Sequence, residues 1–281
     1  MNTKMKLAVA ALAMVAAGQA SAALLDGTNA TGGSLILSVW DDVAKVSYTK
    51  DLGFTLNTFL PSSVTTLAGD NGGVAATGNK TPNAGLTSVF AGDSLFTTTF
   101  AGSVQSNLKW NVVAADSVSG ATSLARVATT TNGTPVMNNN GTNGAGAAYN
   151  TMIGALNTAW GCNAATSCAV NDSTVNGYAN KNYGDTLGGT LINGVGSSGG
   201  IGDSLSFWYL TRTVGTGSGF TATNKTQYAN SANSATWKLA ADGTLTYSLA
   251  PAAAVPVPGA ALLLGSGLLG LVGVSRRKNR A

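Results

Sequence analysis

The chain has 281 residues, of which 15 are Lys or Arg and 11 are acidic, and it contains no histidine. All eleven acidic residues are aspartate, so glutamate is absent as well. His and Glu are among the commonest general acids and bases, and His is the commonest metal ligand, so this composition disfavours most classes of enzyme. With 37 glycines and only 9% charged residues, it instead indicates an extracellular β protein.

The first 22 residues predict a cleavable secretory signal peptide. Two lysines precede an apolar run over residues 7–17, which is too short to span a bilayer. A small-x-small pattern follows, with Ala20 and Ala22 standing directly before Ala23. We therefore expect cleavage between Ala22 and Ala23, which leaves an extracellular body over residues 23–250.

Paired β-strands are predicted at the start of the body. Ser34–Trp40 and Ala44–Thr49 are β-branched and aromatic runs separated by two aspartates, a pattern typical of adjacent strands. In the second run Val46 and Tyr48 alternate with polar residues, so we expect one buried and one solvated face. Further strands are predicted over Leu95–Phe100, Leu108–Val113 and Leu205–Arg212.

The middle of the body predicts a long surface loop followed by a helix. Residues 129–144 are rich in Asn, Thr and Gly and offer little apolar area to bury. An apolar stripe then recurs at i, i+3, i+4, i+7 and i+11, which predicts one helix packed on a sheet and ended by Gly161. A membrane-active or partner helix is the less favoured alternative. The stripe consists of Tyr149, Met152, Ile153, Leu156 and Trp160.

Two cysteines follow the predicted helix directly. Cys162 and Cys168 enclose five residues, and in an exported protein such a pair most simply forms a disulfide. A metal site is disfavoured because the chain offers two cysteines and no histidine. We expect neither a metal nor another cofactor.

A β-hairpin is predicted at the end of the body. Thr236–Leu239 and Thr244–Leu249 flank an Asp242-Gly243 turn, which is a strong hairpin signal. Together these elements predict a mainly β body, a β-sandwich or jelly-roll-like fold with one short helix and one disulfide.

Three features stand in order at the C-terminus. A Pro-containing linker over residues 251–258 precedes an apolar Gly- and Leu-rich segment over residues 259–275, which is near the lower limit of about 17 residues for a membrane-spanning helix. A basic tail over residues 276–281 follows, and basic residues are held on the cytoplasmic side. The linker ends in Val255, Pro256, Val257 and Pro258, and the basic residues of the tail are Arg276, Arg277, Lys278 and Arg280.

This order of Pro-x-Pro, apolar helix and Arg-Arg-Lys resembles the PEP-CTERM sorting signal of Gram-negative bacteria. The resemblance covers Val255–Ala281 and is to the variant with an aliphatic residue, here Val257, between the prolines. It implies transient anchoring in the inner membrane, recognition by an exosortase-type protease, cleavage near the prolines, and delivery of the body to the cell surface or medium. Val257 leaves open which sorting protease acts, and an ordinary single-span anchor is the alternative.

Removal of both ends changes the charge of the protein. The whole chain has a formal net charge of +4, but six of its basic residues lie in the two removable ends. Between Ala23 and Pro258 there are nine basic and eleven acidic residues, a net charge of about −2. A body this close to neutral lacks the basic surface that binds phosphate backbones, so we expect no nucleic-acid partner.

The sequence Gly-Asp-Ser-Leu occurs twice, around Ser94 and Ser204. It matches the name of a hydrolase family with a nucleophilic serine, but that serine needs a histidine base, which this chain lacks. We therefore interpret both copies as a turn followed by a strand. Asp41-Asp42 and Asp70–Gly73 are likewise interpreted as turns, against an Asp-only glycosidase and a calcium loop. The sequence thus assigns no catalytic residue.

Aromatic residues provide the remaining argument for binding. Trp208 and Tyr209 stand in one predicted strand, and exposed aromatic rings can stack on sugars. Packing in the core explains most of the aromatic residues equally well and is the favoured interpretation.

The predicted function is that of an exported, non-enzymatic surface or extracellular-matrix protein. By its resemblance it is structural or adhesive, with exopolysaccharide or biofilm matrix as a partner. A carbohydrate-binding module with a defined sugar site is the alternative, and an Asp-only hydrolase is a distant third.

Overall fold

A computed structural model describes most of the predicted body, over residues 23–29, 31–61, 64, 87–116, 125–183, 196–212, 219–230 and 232–250. Four predicted features lie outside the described residues: the signal peptide with Ala20 and Ala22, the Asp70–Gly73 turn, the linker with its sorting motif, and the C-terminal helix with its basic tail. No helix in the described ranges is both long enough and apolar enough to cross a membrane.

The described chain contains eleven strands and three α-helices. The strands are β1 (Ser34–Asp41), β2 (Val46–Thr55), β3 (Thr87–Phe90), β4 (Leu108–Asp116), β5 (Arg126–Thr131), β6 (Ser167–Val170), β7 (Gly199–Gly200), β8 (Ser204–Thr211), β9 (Asn224–Gln227), β10 (Thr236–Leu239) and β11 (Leu245–Ser248). The α-helices are α1 (Ser94–Thr99), α2 (Asn139–Ala159) and α3 (Ala179–Tyr183), and short 3-10 helices cover Leu56–Thr58 and Gln105–Asn107.

All eleven strands belong to one antiparallel sheet, which curls into a half-barrel. The strand order is β3-β11-β10-β8-β5-β4-β1-β2-β6, with β7 paired to β4 and β9 paired to β8. The prediction of a mainly β body is confirmed. The sheet is single, whereas a sandwich or jelly roll would have two packed sheets. A twisted sheet of this many strands tends to curl, so its inner face packs against itself.

Aromatic rings show which face of the sheet is concave. Phe54 of β2 and Phe90 of β3 belong to strands near opposite ends of the strand order, yet their ring centroids are 6.3 Å apart. Phe59 contacts Phe207 of β8 and Trp237 of β10, with centroids 5.9 and 5.8 Å apart. Side chains of distant strands therefore meet inside the curl and form one aromatic core.

The outer face of the sheet is covered by α2 and α3. Because side chains alternate along a strand, β1 sends Leu37 and Val39 into the concave core and Ile36 and Trp40 toward the helices. The predicted solvated face of β2 is wrong, since Ser47 on that face is fully buried. Helix α3 contacts β1 and β2 there, so both faces of these strands are buried.

Helix α2 confirms the helix predicted at the apolar stripe and corrects the predicted loop before it. The prediction of one short helix is wrong, since α2 has 21 residues and the described chain also contains α1 and α3. The helix begins at Asn139, ten residues before the first member of the apolar stripe, and the Asn138 side chain accepts a hydrogen bond from the Gly141 N–H at 2.8 Å. Residues 129–131 belong to β5. The loop prediction for 129–144 is therefore wrong at both ends, because tertiary packing outweighs the poor helix propensity of Asn and Gly.

Helix α1 replaces the strand that was predicted over Leu95–Phe100. It follows the edge strand β3 after three residues and contacts β2 and β6 at the other edge. The Phe96 ring packs edge-on against Tyr48 of β2, with centroids 5.4 Å apart. A Cβ added at Gly243, in the β10–β11 turn, would lie 2.6 Å from Phe96. The helix therefore closes the gap between the two edges of the half-barrel.

Two predicted strand pairs are confirmed. Strand β1 pairs antiparallel with β2, and β10 pairs with β11. In the second pair the turn contains Asp242, which accepts a hydrogen bond from the Thr244 N–H at 2.9 Å, and Gly243, whose φ of +82° lies in the left-handed region. Glycine adopts that conformation without steric cost.

Candidate functional site

The start of the described chain is bound to α2. Ala23 is exposed, but Leu24 is only 4% exposed. The Asn157 side chain accepts a hydrogen bond from the Leu24 N–H at 3.1 Å and donates one to the Leu24 carbonyl at 2.8 Å. The Asn157 side-chain amide thus bonds to both backbone groups of Leu24, as a residue of a neighbouring β-strand would. Leu24, two residues after Ala22, is therefore held to α2 by its side chain and by both of its backbone groups.

The next residues are bound to the same helix and to β1. The Leu25 N–H donates to the Ser34 hydroxyl at 3.0 Å, and its carbonyl accepts from the Tyr149 hydroxyl at 3.2 Å. The Gly27 N–H donates to the Asn150 side chain at 2.7 Å. Sequence reasoning missed this anchor. The signal that points to it is the presence of two asparagines, Asn150 and Asn157, inside a helix that neither of them favours.

The end of the described chain is also packed. Leu249 is 2% exposed, and the Ala250 carbonyl accepts hydrogen bonds from the side chains of Asn230 and Asn233, at 2.6 and 3.3 Å. The sorting motif begins five residues farther along the chain, at Val255. The sorting role of that motif remains a prediction.

The predicted disulfide between Cys162 and Cys168 is present. It connects the residues just after the end of α2 to β6, an edge strand of the sheet. Both cysteines are buried, at 1% and 3% exposure. The bond therefore ties the helix layer to the sheet at the edge where, among the described strands, β6 pairs with β2 alone.

The two Gly-Asp-Ser-Leu segments have different structures. Ser94 is the first residue of α1, where Asp93 caps the helix by accepting a hydrogen bond from the Phe96 N–H at 2.9 Å. Ser204 is the first residue of β8, and Asp203 before it accepts from the Gly200 N–H at 2.7 Å. The interpretation as a turn followed by a strand is confirmed for the second copy and wrong for the first.

Asp93 also binds the opposite edge of the sheet. Its carboxylate accepts a hydrogen bond from the Tyr48 hydroxyl at 2.7 Å and lies 3.4 Å from the Lys50 ammonium. Burial by itself would raise the pKa of Asp93, but the hydrogen bonds and the nearby lysine outweigh it, so the pKa is lowered. The ionised carboxylate therefore stabilises the closure by α1.

Asp41 and Asp42 lie at the turn between β1 and β2. Asp41 is 1% exposed and accepts hydrogen bonds from two backbone N–H groups of the turn, at 2.8 and 3.0 Å. Asp42 accepts from the Tyr178 hydroxyl at 3.0 Å and from the Asn180 amide at 2.6 Å. The interpretation as a turn is confirmed, but Asp41 is buried rather than solvated, and both carboxylates bind the surrounding fold.

The aromatic residues singled out as sugar ligands are largely covered. Tyr209 is 3% exposed and faces the concave core, whereas Trp208 is partly buried against the helix-side core. Stacking on a sugar requires an accessible ring face, and Tyr209 does not present one. Trp40, Trp110 and Trp237 are fully buried, which agrees with the core interpretation.

A shallow cleft of about 270 Å³ lies beside the edge strand β6. Trp160, the residue directly after α2, is only partly buried there, and the buried Thr99 hydroxyl has no hydrogen-bond partner among the described residues. Sequence reasoning assigned Trp160 to the buried stripe, but its position at the helix end before Gly161 leaves one side uncovered. The cleft is lined by Val46, Thr99, Trp160, Ala169, Val170 and Asn171.

The chain was compared with protein families, curated proteins and solved structures. No protein-family model, curated protein or solved structure matches the chain. Within the described ranges, no group of three or more Cys and Asp side chains is placed to hold a metal ion. The candidate sites are therefore the two ends of the body and the Trp160 cleft.

Proposed function

We propose that this chain is an exported surface or extracellular-matrix protein of a Gram-negative cell. Residues 1–22 act as its signal peptide, and residues 255–281 act as a PEP-CTERM-like sorting signal that an exosortase-type protease cuts near the prolines. The body is transiently held at the inner membrane and then serves a structural or adhesive role, in contact with exopolysaccharide of the matrix.

The order of Pro-x-Pro, apolar segment and Arg-Arg-Lys within Val255–Ala281 supports this proposal most strongly. Among the described residues, the buried apolar side chains run from Leu24 to Leu249. Cleavage after Ala22 and cleavage near Pro256 would both leave this set intact.

The disulfide and the fold are consistent with an exported protein. Disulfides persist mainly in oxidising compartments outside the cytosol, and Cys162 and Cys168 are bonded in the body. The hydrogen bonds of three carboxylates, those of Asp41, Asp42 and Asp93, support the structural role. Each binds groups of the fold itself.

The processing proposal is tested by intact mass and C-terminal peptide mapping of the protein recovered from its native cell surface and medium. We expect a chain that begins at Ala23 and ends near Pro256–Pro258. Retention of the Arg276–Arg280 tail would identify a plain membrane anchor, and the matrix role would lose its basis.

The Trp160 cleft favours a second candidate function, a carbohydrate-binding module. A partly exposed indole beside the exposed amide residue Asn171 combines an apolar platform with a polar group, as sugar recognition requires. Glycan-array binding that is lost in Trp160→Ala and kept in Trp208→Ala would establish this site. If Trp160→Ala binds glycans as well as Trp208→Ala does, the cleft is not the sugar site.

A further inference from the structure

We infer that the body assembles head to tail with further copies of itself, with the Phe220 ring of one copy seated in the Trp160 cleft of the next. The inference rests on the proposed structural role and names the partner, a second copy of this chain. Its basis is the placement of the exposed apolar side chains. Among the described residues, the large ones are Val43, Val89, Val104, Val136 and Phe220.

Two of these residues lie with the Trp160 cleft at one end of the sheet. Val43 is 75% exposed in the turn between β1 and β2. Val104 is 62% exposed in the loop that leads to Leu108 of β4, and Leu108 pairs with Asp41 directly before that turn. The cleft lies at the same end, because its lining includes the first residue of β2 and the last residue of β6.

Phe220 lies at the opposite end of the sheet, where its side chain is 83% exposed. It shortly precedes β9, which begins at Asn224, and Asn224 pairs with Thr211, the last residue of β8. Thr211 pairs with Arg126, which pairs with Asp116, the last residue of β4. Since β4 begins at the cleft end, its last residue marks the other end.

Helix α2 holds Phe220 in place and separates it from the cleft. The N–H groups of Asn139 and Asn140, the first two residues of α2, donate to the backbone carbonyls on either side of Phe220, both at 2.9 Å. Trp160 directly follows the other end of this 21-residue helix, roughly 30 Å away. The ring therefore cannot enter the cleft of its own chain, and only another copy brings the two together.

The ring and the cleft match in size and chemistry. The cleft has a volume of about 270 Å³, whereas an apolar cavity of about 150 Å³ already holds benzene. Val46, Ala169 and Val170 line it, and the partly exposed indole of Trp160 provides an aromatic partner for the incoming ring. The body has a net charge of only about −2, so copies repel one another little.

A contact between two different surfaces leaves one of each unused on every pair. Such heterologous contacts extend into open chains unless the rotation between copies closes a ring. One aromatic ring and a few valines bury less than the roughly 1,200 Å² of a stable complex. We therefore expect a dissociation constant on the order of 0.1 mM, so that chains form where copies are concentrated, as in a matrix.

The test is sedimentation equilibrium of the protein recovered from its native cell surface and medium. We expect the average mass of the wild type to rise continuously with concentration. Phe220→Ser and Trp160→Ala should each lower the association constant by about tenfold or more. Val89→Thr is the matched control, because Val89 is an exposed valine of β3 that belongs to neither surface. It should associate like the wild type.

Mixing the two variants tests the head-to-tail order. Phe220→Ser keeps an intact cleft and Trp160→Ala keeps an intact ring, so an equimolar mixture should form dimers and stop there. A mixture that associates no better than its components would overturn the inference. If Trp160→Ala fails to fold, Asn171→Arg takes its place, because Asn171 is an exposed residue of the cleft wall.

The outcomes separate this inference from the proposed function. If the wild type has the expected processed ends by intact mass but stays monomeric up to roughly ten times the expected dissociation constant, the inference is wrong while the proposed function stands. Association that survives both Phe220→Ser and Trp160→Ala would also overturn it and would leave the cleft to a sugar. Retention of the basic C-terminal tail would contradict the proposed processing, and the same variants would still decide the assembly.

Discussion

The ion pair of Arg126 and Asp116 is the most buried charge interaction described in the molecule. The two side chains are 1% and 2% exposed and face each other across β4 and β5, and the guanidinium also donates to the Asn57 side chain at 2.9 Å. Removal of one member of a buried pair leaves an uncompensated charge, whereas removal of both does not. The pair is therefore sensitive to single substitutions.

We expect Arg126→Met to lower the free energy of unfolding by about 3–5 kcal/mol, because it leaves an ionised Asp116 buried without its cation. Urea unfolding at neutral pH measures this loss. The double variant with Asp116→Leu should recover most of the stability. An equally large loss in the double variant would show that packing, and not charge, is the cause.

Asp51 of β2 is a carboxylate that the fold disfavours. Burial raises its pKa, although hydrogen bonds from the Gly53 N–H and the Ser34 side chain partly oppose this. Since the folded pKa lies above the unfolded value of about 3.9, the ionised group lowers stability at neutral pH, and protonation relieves that cost as the pH falls.

We therefore expect Asp51→Asn to raise the free energy of unfolding at about pH 7 and to have little effect at about pH 3, where both states of the wild type are protonated. The amide retains the oxygen that accepts from Gly53. Urea unfolding at the two pH values measures the sign of the change in the free energy of unfolding. A variant that is less stable at neutral pH would contradict the raised pKa.

At the scale of elements, α2 depends on its tertiary contacts. Its first six residues are Asn, Gly and Thr only, and its buried side is formed mainly by small residues followed by Tyr149, Met152, Ile153 and Leu156. A glycine opposite the helix also lets the two layers lie close together. A Cβ added at Gly33, directly before β1, would lie 2.5 Å from the Tyr149 ring. Packing against the sheet therefore provides the stabilisation that the intrinsic helix propensity of these residues does not.

Two glycine substitutions separate propensity from packing. Gly154 is exposed within α2 and has open space around an added Cβ, so Gly154→Ala should raise the free energy of unfolding by about 0.5–1 kcal/mol. Gly33→Ala should lower it by about 1–3 kcal/mol through overpacking. Thermal or urea unfolding of both variants provides the comparison, and stabilisation by Gly33→Ala would contradict the close approach.

The disulfide joins the residues just after α2 to β6. Since it closes a short loop, its contribution through chain entropy is only about 2 kcal/mol. We expect Cys162→Ser combined with Cys168→Ser to lower the free energy of unfolding by about that amount and to leave the far-UV circular dichroism spectrum unchanged. Loss of the β signal would show that the bond is required for folding.

At the scale of the whole molecule, α1 closes the half-barrel. Asp93 joins three parts of the closure: the N-terminus of α1, Tyr48 of β2 and Lys50 of β2. Its lowered pKa means that this stabilisation is complete above the unfolded pKa of about 3.9 and is lost as the pH falls through the folded pKa. The closure is thus weakest in acid.

We expect Asp93→Ala to lower the free energy of unfolding by about 1–3 kcal/mol at neutral pH, since it removes a helix cap and a charged acceptor. Asp93→Asn is the matched control, which retains a capping oxygen and should lose less. Unfolding measured across acidic pH should show the wild type approaching the Ala variant. A constant difference between the two at all pH values would contradict the role of the charge.

The sequence by itself determined the strands whose signal is local. Alternating β-branched and aromatic residues located β1, β4, β8 and the β10–β11 hairpin, the apolar stripe located the second half of α2, and the spacing of Cys162 and Cys168 predicted their bond. The two predicted processing signals are also local patterns, which is why the proposed export rests on them.

Only the tertiary structure decided the features that depend on distant partners. The single curled sheet, the helical state of Ser94–Thr99 and the early start of α2 all follow from contacts across the fold, which outweigh local propensity. The same holds for the bonds between Leu24 and Asn157, which lie 133 residues apart. A pattern within a few residues cannot specify such pairings, because the free energy that selects them arises when the chain packs.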